Sequence, residues 1–433
     1  MELLPKYLNE LTDAPRPKRL QAYNKLFELC MERKLSEPEE FELLRSCLRG
    51  FEDSAERCRE HAILIVTDVI IRQPPSVLDW VLPAVVTRIG VSPVLEDSEE
   101  LRLLLLRLAV VCMKSFPHEI GPRNYIDFFQ VLLENCILDP FPELKKEACR
   151  ACVYLCEIEP VQVKHIALPL AKVVKSCLLH KHSVVRTEAV RTLASLIQHG
   201  AAEILADSRE EQENRTTVYT LFVLANDHVE AVRASVVDLL SRALLDTTER
   251  QDQHRRLLPH LLLLMTDRHK IVSKKAISVM EDVGKLYLLD NEDNSIDITK
   301  RRVTMKDIEW YGDEEYPDMK LSTVDTSLYD VFQMRPSLGS RYVVAESLRT
   351  FIERIFTDIT AIDWVIPFSS NNRRVIALRI LWMSIYHVEK SVVQFVEHIL
   401  GALYKSLGDN QDVVQESLIC LEILGKFLTP DQY

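Results

Sequence analysis

A polar residue, a mostly aliphatic residue five positions on, and usually Arg or Lys at the sixth recur along this chain at nearly constant spacing. The pattern runs Asp13–Lys18–Arg19, Asp53–Cys58–Arg59, Glu96–Leu101–Arg102, Asp139–Leu144–Lys145, His180–Val185–Arg186, Asp227–Val232–Arg233 and Asp267–Val272–Ser273. Successive anchors lie 40, 43, 43, 41, 47 and 40 residues apart. After a gap of 102, looser copies begin at Ser369 and Asp409, again 40 apart. A period near 40 with helical content means stacked hairpins, each hiding its apolar face on its neighbours. A chain of this kind works as a scaffold more readily than as a catalyst.

Composition agrees. At 433 residues an ordinary globular chain divides into two or three domains, a limit that a stack escapes because each repeat packs only on the next. Only 10 residues are Gly, about a third of average usage, which disfavours Gly-rich phosphate loops and turn-rich β folds. The formal net charge of −12 makes nucleic acid and anionic membrane surfaces poor partners. No apolar run approaches the ~20 residues that span a bilayer, and the N-terminus shows no secretory signal. The ten scattered cysteines read as reduced thiols, so the expected location is the cytoplasm. The sequon Asn214-Arg215-Thr216 then reads as a surface loop.

Each repeat reads as two antiparallel helices with the polar anchor at the turn into the second. Around Asp139, Pro140 and Pro142 end one helix and begin the next. Leu144, Ala148, Cys152 and Leu155 then form one stripe at i, i+4, i+8 and i+11. The predicted fold is all-α, a right-handed α-α superhelix of the HEAT or armadillo type with about nine helical hairpins, on the order of 80–90 Å long. Residues 1–289 are expected as an N-terminal array, 290–340 as an acidic irregular insertion, and 341–433 as repeats continuing the same solenoid.

The Asp and the basic residue suggest a shared structural role. An Asp in the turn can cap the second helix, and the Arg can reach an Asp of its own or the neighbouring repeat. The expected ladder comprises Asp139, Lys145, Arg186, Asp227, Arg233 and Asp267.

The pattern fails from about 290 to 340, where Trp310, Tyr311, Tyr316, Tyr329 and Phe332 stand among Asp and Glu. Two readings stand. One is a solvated insertion, removable at little thermal cost; the other is a partner-binding segment anchored by Trp310, Tyr311 and Tyr316. At the far end, Val413, Ile419 and Phe427 read as an open flank. The expectation is a fragment or short isoform, or an end buried against a partner.

Chemical motifs are weak. Cys149-Arg150-Ala151-Cys152, with Cys156 a turn later, could grip a metal, but no second pair completes a zinc set, and the position is a helix core face. His180-Lys181-His182 lies in a turn with no companion ligands. Di-iron hydroxylases built on HEAT repeats need several His-Glu dipeptides, and only His118-Glu119 is present. No nucleophile, P-loop or zinc-hydrolase motif occurs. No catalytic residue, metal or cofactor is therefore expected.

Several stretches resemble the HEAT-repeat dynein axonemal assembly factor family. They are Lys274-Lys275-Ala276-Ile277-Ser278-Val279-Met280-Glu281-Asp282-Val283-Gly284, Arg335-Pro336-Ser337-Leu338-Gly339-Ser340-Arg341 and Asp358-Ile359-Thr360-Ala361-Ile362-Asp363-Trp364. Asp139-Pro140-Phe141-Pro142-Glu143-Leu144-Lys145-Lys146-Glu147 and Glu422-Ile423-Leu424-Gly425-Lys426-Phe427-Leu428-Thr429-Pro430 are similar too. The resemblance implies a cytoplasmic, non-catalytic scaffold or co-chaperone whose partners are axonemal dynein chains and assembly chaperones. A generic HEAT adaptor, of the transport-receptor or phosphatase-scaffold type, is the other reading.

Overall fold

The computed structural model describes residues 3–13, 15–32, 35–121, 125–206, 216–248, 250–292, 312, 315–361, 366–369 and 372–429. Among them are eighteen α-helices and no strand, arranged as nine consecutive hairpins. They fall into two compact units, Met1–Ala201 and Ala202–Tyr433.

The first unit holds five hairpins: α1 (Leu3–Asp13) with α2 (Arg16–Glu32), α3 (Glu37–Arg49) with α4 (Glu56–Val69), α5 (Leu78–Ile89) with α6 (Glu99–Ser115), α7 (Ile126–Leu138) with α8 (Pro142–Ile158), and α9 (Ala167–Lys175) with α10 (Ser183–Leu196). Each second helix packs on the next, from α2 through α4, α6 and α8 to α10. The stripe Leu144, Ala148, Cys152 and Leu155 on α8 is fully buried, as helical spacing requires of a helix flanked on two sides.

The second unit holds α11 (Thr217–Ala225) with α12 (Glu230–Ser241), α13 (Arg250–Met265) with α14 (Lys270–Glu292), α15 (Leu338–Thr360) with α16 (Arg373–Val388), and α17 (Val396–Ser406) with α18 (Gln411–Phe427). Several helices here start on side-chain caps. Thr216 accepts from Tyr219 N–H, Asn372 from Val375 N–H and Asn410 from Val413 N–H.

The acidic segment behaves unlike a solvated insertion over its described part, 315–337. Tyr329 and Val331 are buried, and Phe332 stacks on Trp382 of α16 with ring centroids 5.5 Å apart. Tyr329 meets the same indole edge-on at 5.8 Å. Residues Asp330–Gln333 also pack on α14. The segment thus forms a strap that wedges aromatic rings between two second helices. The sequence hides this because the rings follow no helical period; they fill a gap rather than line a face. Thermal indifference to deletion is not expected of such a wedge. At the far end, Val413, Ile419 and Phe427 are buried rather than open.

Candidate functional site

The anchors fall at one place in the hairpin. Asp53, Glu96, Asp139, His180, Asp227 and Asp267 each stand three residues before the second helix begins. Their side chains do not cap the helix. Each accepts the backbone N–H two residues on and closes the turn just before the helix: Ala55 N to Asp53 at 2.8 Å, Ser98 N to Glu96 at 3.2 Å, Phe141 N to Asp139 at 2.8 Å, Val229 N to Asp227 at 2.9 Å and His269 N to Asp267 at 2.8 Å. This is an Asx-type turn, which fixes the entry angle of the chain. His180 does the same with its ring, accepting from His182 N–H on Nδ1 at 3.1 Å. An imidazole can accept there only while that nitrogen is unprotonated. Burial first, and then the nearby Lys145 charge, lower the His180 pKa and favour that form.

The basic residue at the sixth position ties two repeats together. Arg59 donates to its own anchor's carbonyl, Asp53 O, at 2.9 Å, and forks onto the next anchor, Glu96, at 2.9 and 2.7 Å. Arg102 donates to Glu96 O at 3.1 Å and to Asp139 at 3.1 Å. Arg233 donates to Asp227 O at 2.7 Å and grips Asp267 at 2.5 and 3.1 Å. Arg19 grips Asp53, and in the looser copy Arg374, five residues after Ser369, pairs with the next anchor, Asp409. Burial alone would raise the Glu96 carboxyl; Arg59 and Arg88 outweigh it and hold it below the usual carboxylate range.

Two positions break the rule, and the sequence says why. Lys145 faces His180, which offers no carboxylate, so its ammonium turns to Ile137 O at 2.6 Å. Ser273 replaces the cation after Asp267, and its hydroxyl bonds Asp330 of the strap at 3.2 Å. Arg186 is buried and donates to His180 O at 2.9 Å and Lys181 O at 3.2 Å.

In the second unit, the rungs Arg233–Asp267 and Arg379–Glu416 open on one polar cleft of about 550 Å³, also lined by Asn226, His228 and Asn372. The strap anchors elsewhere. Arg335 forks onto Glu389 at 2.9 and 2.9 Å, and Arg341 reaches the same carboxylate at 3.1 Å. Glu389 is fully buried and sits at φ 49°, a left-handed backbone that a non-glycine residue holds only under constraint. Tyr386 donates to the strap carbonyls of Val331 and Met334, at 3.2 and 3.1 Å. Farther along, Glu422 of α18 accepts from Ser322 N–H, Thr323 N–H and Thr323 Oγ1. Burial opposes ionisation of Glu422, but these donors outweigh it and hold the carboxyl at about 2.

Of the aromatics proposed to meet a partner, Tyr316 packs beside Phe427, with centroids 6.0 Å apart, under the Arg335 guanidinium at 4.5 Å. Trp310 and Tyr311 lie outside the described residues. Cys149, Cys152 and Cys156 are buried thiols on the α8 core face, and burial pushes Cys149 to about 12 and Cys156 to about 11. Among the described residues no group of three His, Cys, Asp or Glu is placed to hold a metal ion. None of their helices is long and apolar enough to cross a membrane.

The resemblance read from sequence acquires a structural meaning. The stretches ending in Gly284 and beginning at Arg335 pack on each other. Ser340 Oγ donates to Met280 O at 3.2 Å and to Glu281 at 3.0 Å.

Two family models match this chain. One, described as dynein axonemal assembly factor 5-like, TPR repeats, covers residues 8–297; the other, the HEAT-repeat domain of dynein axonemal assembly factor 5, covers 327–433. The anchor spacing of 40–47 is longer than the 34 residues of a tetratricopeptide repeat. Dynein axonemal assembly factor 5 of Xenopus laevis is 27% identical over 395 residues, covering 90% of this chain and 43% of that protein. The Homo sapiens protein of that name is 27% identical over 403 residues, with 90% and 42% covered. The chain therefore spans a little over two-fifths of the length of these relatives. Among solved structures, importin beta aligns with TM-score 0.42 at 12% identity, over 97% of this chain and 45% of that one. The karyopherin Kap121p bound to the SUMO protease Ulp1p aligns with TM-score 0.46 at 11% identity, over 100% and 42%. With family matches running through both units, this chain belongs to the dynein axonemal assembly factor 5 family.

Proposed function

We propose that the chain is a non-catalytic scaffold or co-chaperone for the cytoplasmic preassembly of axonemal dynein arms. It binds dynein chains, or the chaperones that assemble them, through exposed faces of its helical hairpins. The carrying observation is the family match through both units. The rung system supports the same reading: paired charges are spent on holding successive turns in register rather than gathered at one reactive centre. Spread, shallow contacts suit a large protein partner. Axonemal dynein heavy and intermediate chains should co-precipitate with the chain from ciliated-cell cytosol, and gene loss should leave cilia without dynein arms. Recovery of no dynein chain, with normal arms after gene loss, would overturn this reading. Capture of a small GTPase or a phosphatase catalytic subunit instead would favour a generic HEAT adaptor.

A further inference from the structure

We propose that Ser322 is a phosphorylation site, and that a phosphate there releases Ser322 and Thr323 of the strap from Glu422 of α18 while the aromatic wedge stays seated. The strap is held by attachments of different chemistry. Its later part is packed on α16: Tyr329 and Phe332 lie against Trp382, Tyr386 bonds two strap carbonyls, and Arg335 is locked to Glu389. Its earlier part is packed at Tyr316, beside Phe427, and at the buried Met319, whereas Ser322 and Thr323 between these and the wedge are held by hydrogen bonds, mainly to one carboxylate. Ser322 N–H, Thr323 N–H at 2.9 Å and Thr323 Oγ1 at 2.6 Å all donate to Glu422, and Gln415 donates to Thr323 O at 2.6 Å. Every donor to Glu422 in this latch is neutral, so its strength depends on leaving Glu422 the sole negative charge there.

Ser322 is exposed and stands in non-helical backbone between Met319 and Asp325. The sequence Ser322-Thr323-Val324-Asp325 places an acid three residues after the hydroxyl, a pattern that acid-directed protein kinases accept. Such a kinase moves the γ-phosphoryl of a nucleoside triphosphate to Ser322 Oγ. The P–O bond to the nucleoside diphosphate breaks, the Oγ–P bond forms, and the hydroxyl proton passes to the kinase base. The product brings nearly two negative charges beside the carboxylate that its own residue's N–H was binding, with Asp325 adding a third acid close by. Like charges in one half-buried place repel, and the latch has no cation among its members to absorb them. The wedge, whose ion pairs lie at Glu389, is untouched.

The test uses the full chain with phosphoserine incorporated at position 322, beside the unmodified chain, with hydrogen exchange read residue by residue. Amides of Ser322 and Thr323 should exchange at least tenfold faster in the phosphorylated chain, and those of Val331 to Gln333 should not change. In a Glu422→Gln background the phosphate should accelerate exchange much less, because its repelling partner is gone. Folded, unmodified chain treated with an acid-directed kinase and ATP should gain phosphate at Ser322 by mass spectrometry. Unchanged or slower exchange on phosphorylation would overturn the proposal, the latter showing that a cation such as Lys426 recaptures the phosphate. Equal acceleration in Glu422→Gln, or failure of the kinase to modify the folded chain, would also overturn it.

Discussion

Gly284 and Gly339 meet backbone to backbone where α14 and α15 cross: a Cβ on Gly284 would lie 2.3 Å from Ser340 N, and one on Gly339 would lie 2.1 Å from Gly284 O. Within a helix, replacing Gly by Ala ordinarily stabilises by about 1 kcal/mol. Here the obstruction is backbone on both sides, so the sign reverses. Gly284→Ala should lower stability by roughly 2–4 kcal/mol as the helices are pushed apart. Chemical denaturation with a midpoint equal to or above that of the parent chain would show that the crossing has slack.

Arg233→Ala should cost about 1–3 kcal/mol. It strands the Asp267 carboxylate and the Asp227 carbonyl, both in the half-buried seam between α12 and α14. Arg233→Lys should recover only part, because one ammonium cannot bridge a carbonyl and both carboxylate oxygens as a guanidinium does. A thermal melt of Arg233→Ala superimposable on the parent would mean the rung is ornamental.

Tyr329→Ala should destabilise the second unit by about 3 kcal/mol through the cavity it leaves against Trp382. Deleting residues 292–332 should do worse and abolish that unit's cooperative unfolding. An unchanged melting temperature for the deletion would mean α14 and α16 close over the gap.

Acid should weaken the second unit. Burial lowers His254, His260 and His387 to about 4 each, below the ordinary value near 6.5. In that window the unfolded chain binds more protons than the folded one. Stability is therefore fully present above about 6.5 and falls as pH drops toward 4, by up to roughly 3 kcal/mol per imidazole. Denaturation midpoints measured at pH 7, 5.5 and 4.5 should fall in that order. His260→Gln with an undiminished slope would acquit that residue.

Legibility from sequence tracked local chemistry. The anchors were readable because each marks the same turn, and Leu144, Ala148 and Cys152 because burial on one face imposes helical spacing. The role of each anchor was half visible. Asp in a turn signals a backbone bond, but only geometry shows that Ala55 or Phe141 N–H receives it before the helix, and that His180 imitates it. The strap was opaque for a different reason. Phe332, Tyr329 and Glu422 gain their meaning from partners 50 to 100 residues away, as Phe332 does from Trp382 and Tyr386 and Thr323 from Glu422, and no local period records such pairings. Glu389 between Arg335 and Arg341 is of the same kind.

Because the strap clips helices that are distant in sequence, the four hairpins of the second unit cannot be acquired one after another like links of a chain. Thr323 waits for Glu422, 99 residues later, before its contacts count. Loop closure on that scale slows assembly and makes it all-or-none. The first unit, bound by neighbour-to-neighbour contacts, is free to zip up progressively, so a ribosome releasing this chain would deliver a region that matures as it emerges, followed by one that must wait for its last helix.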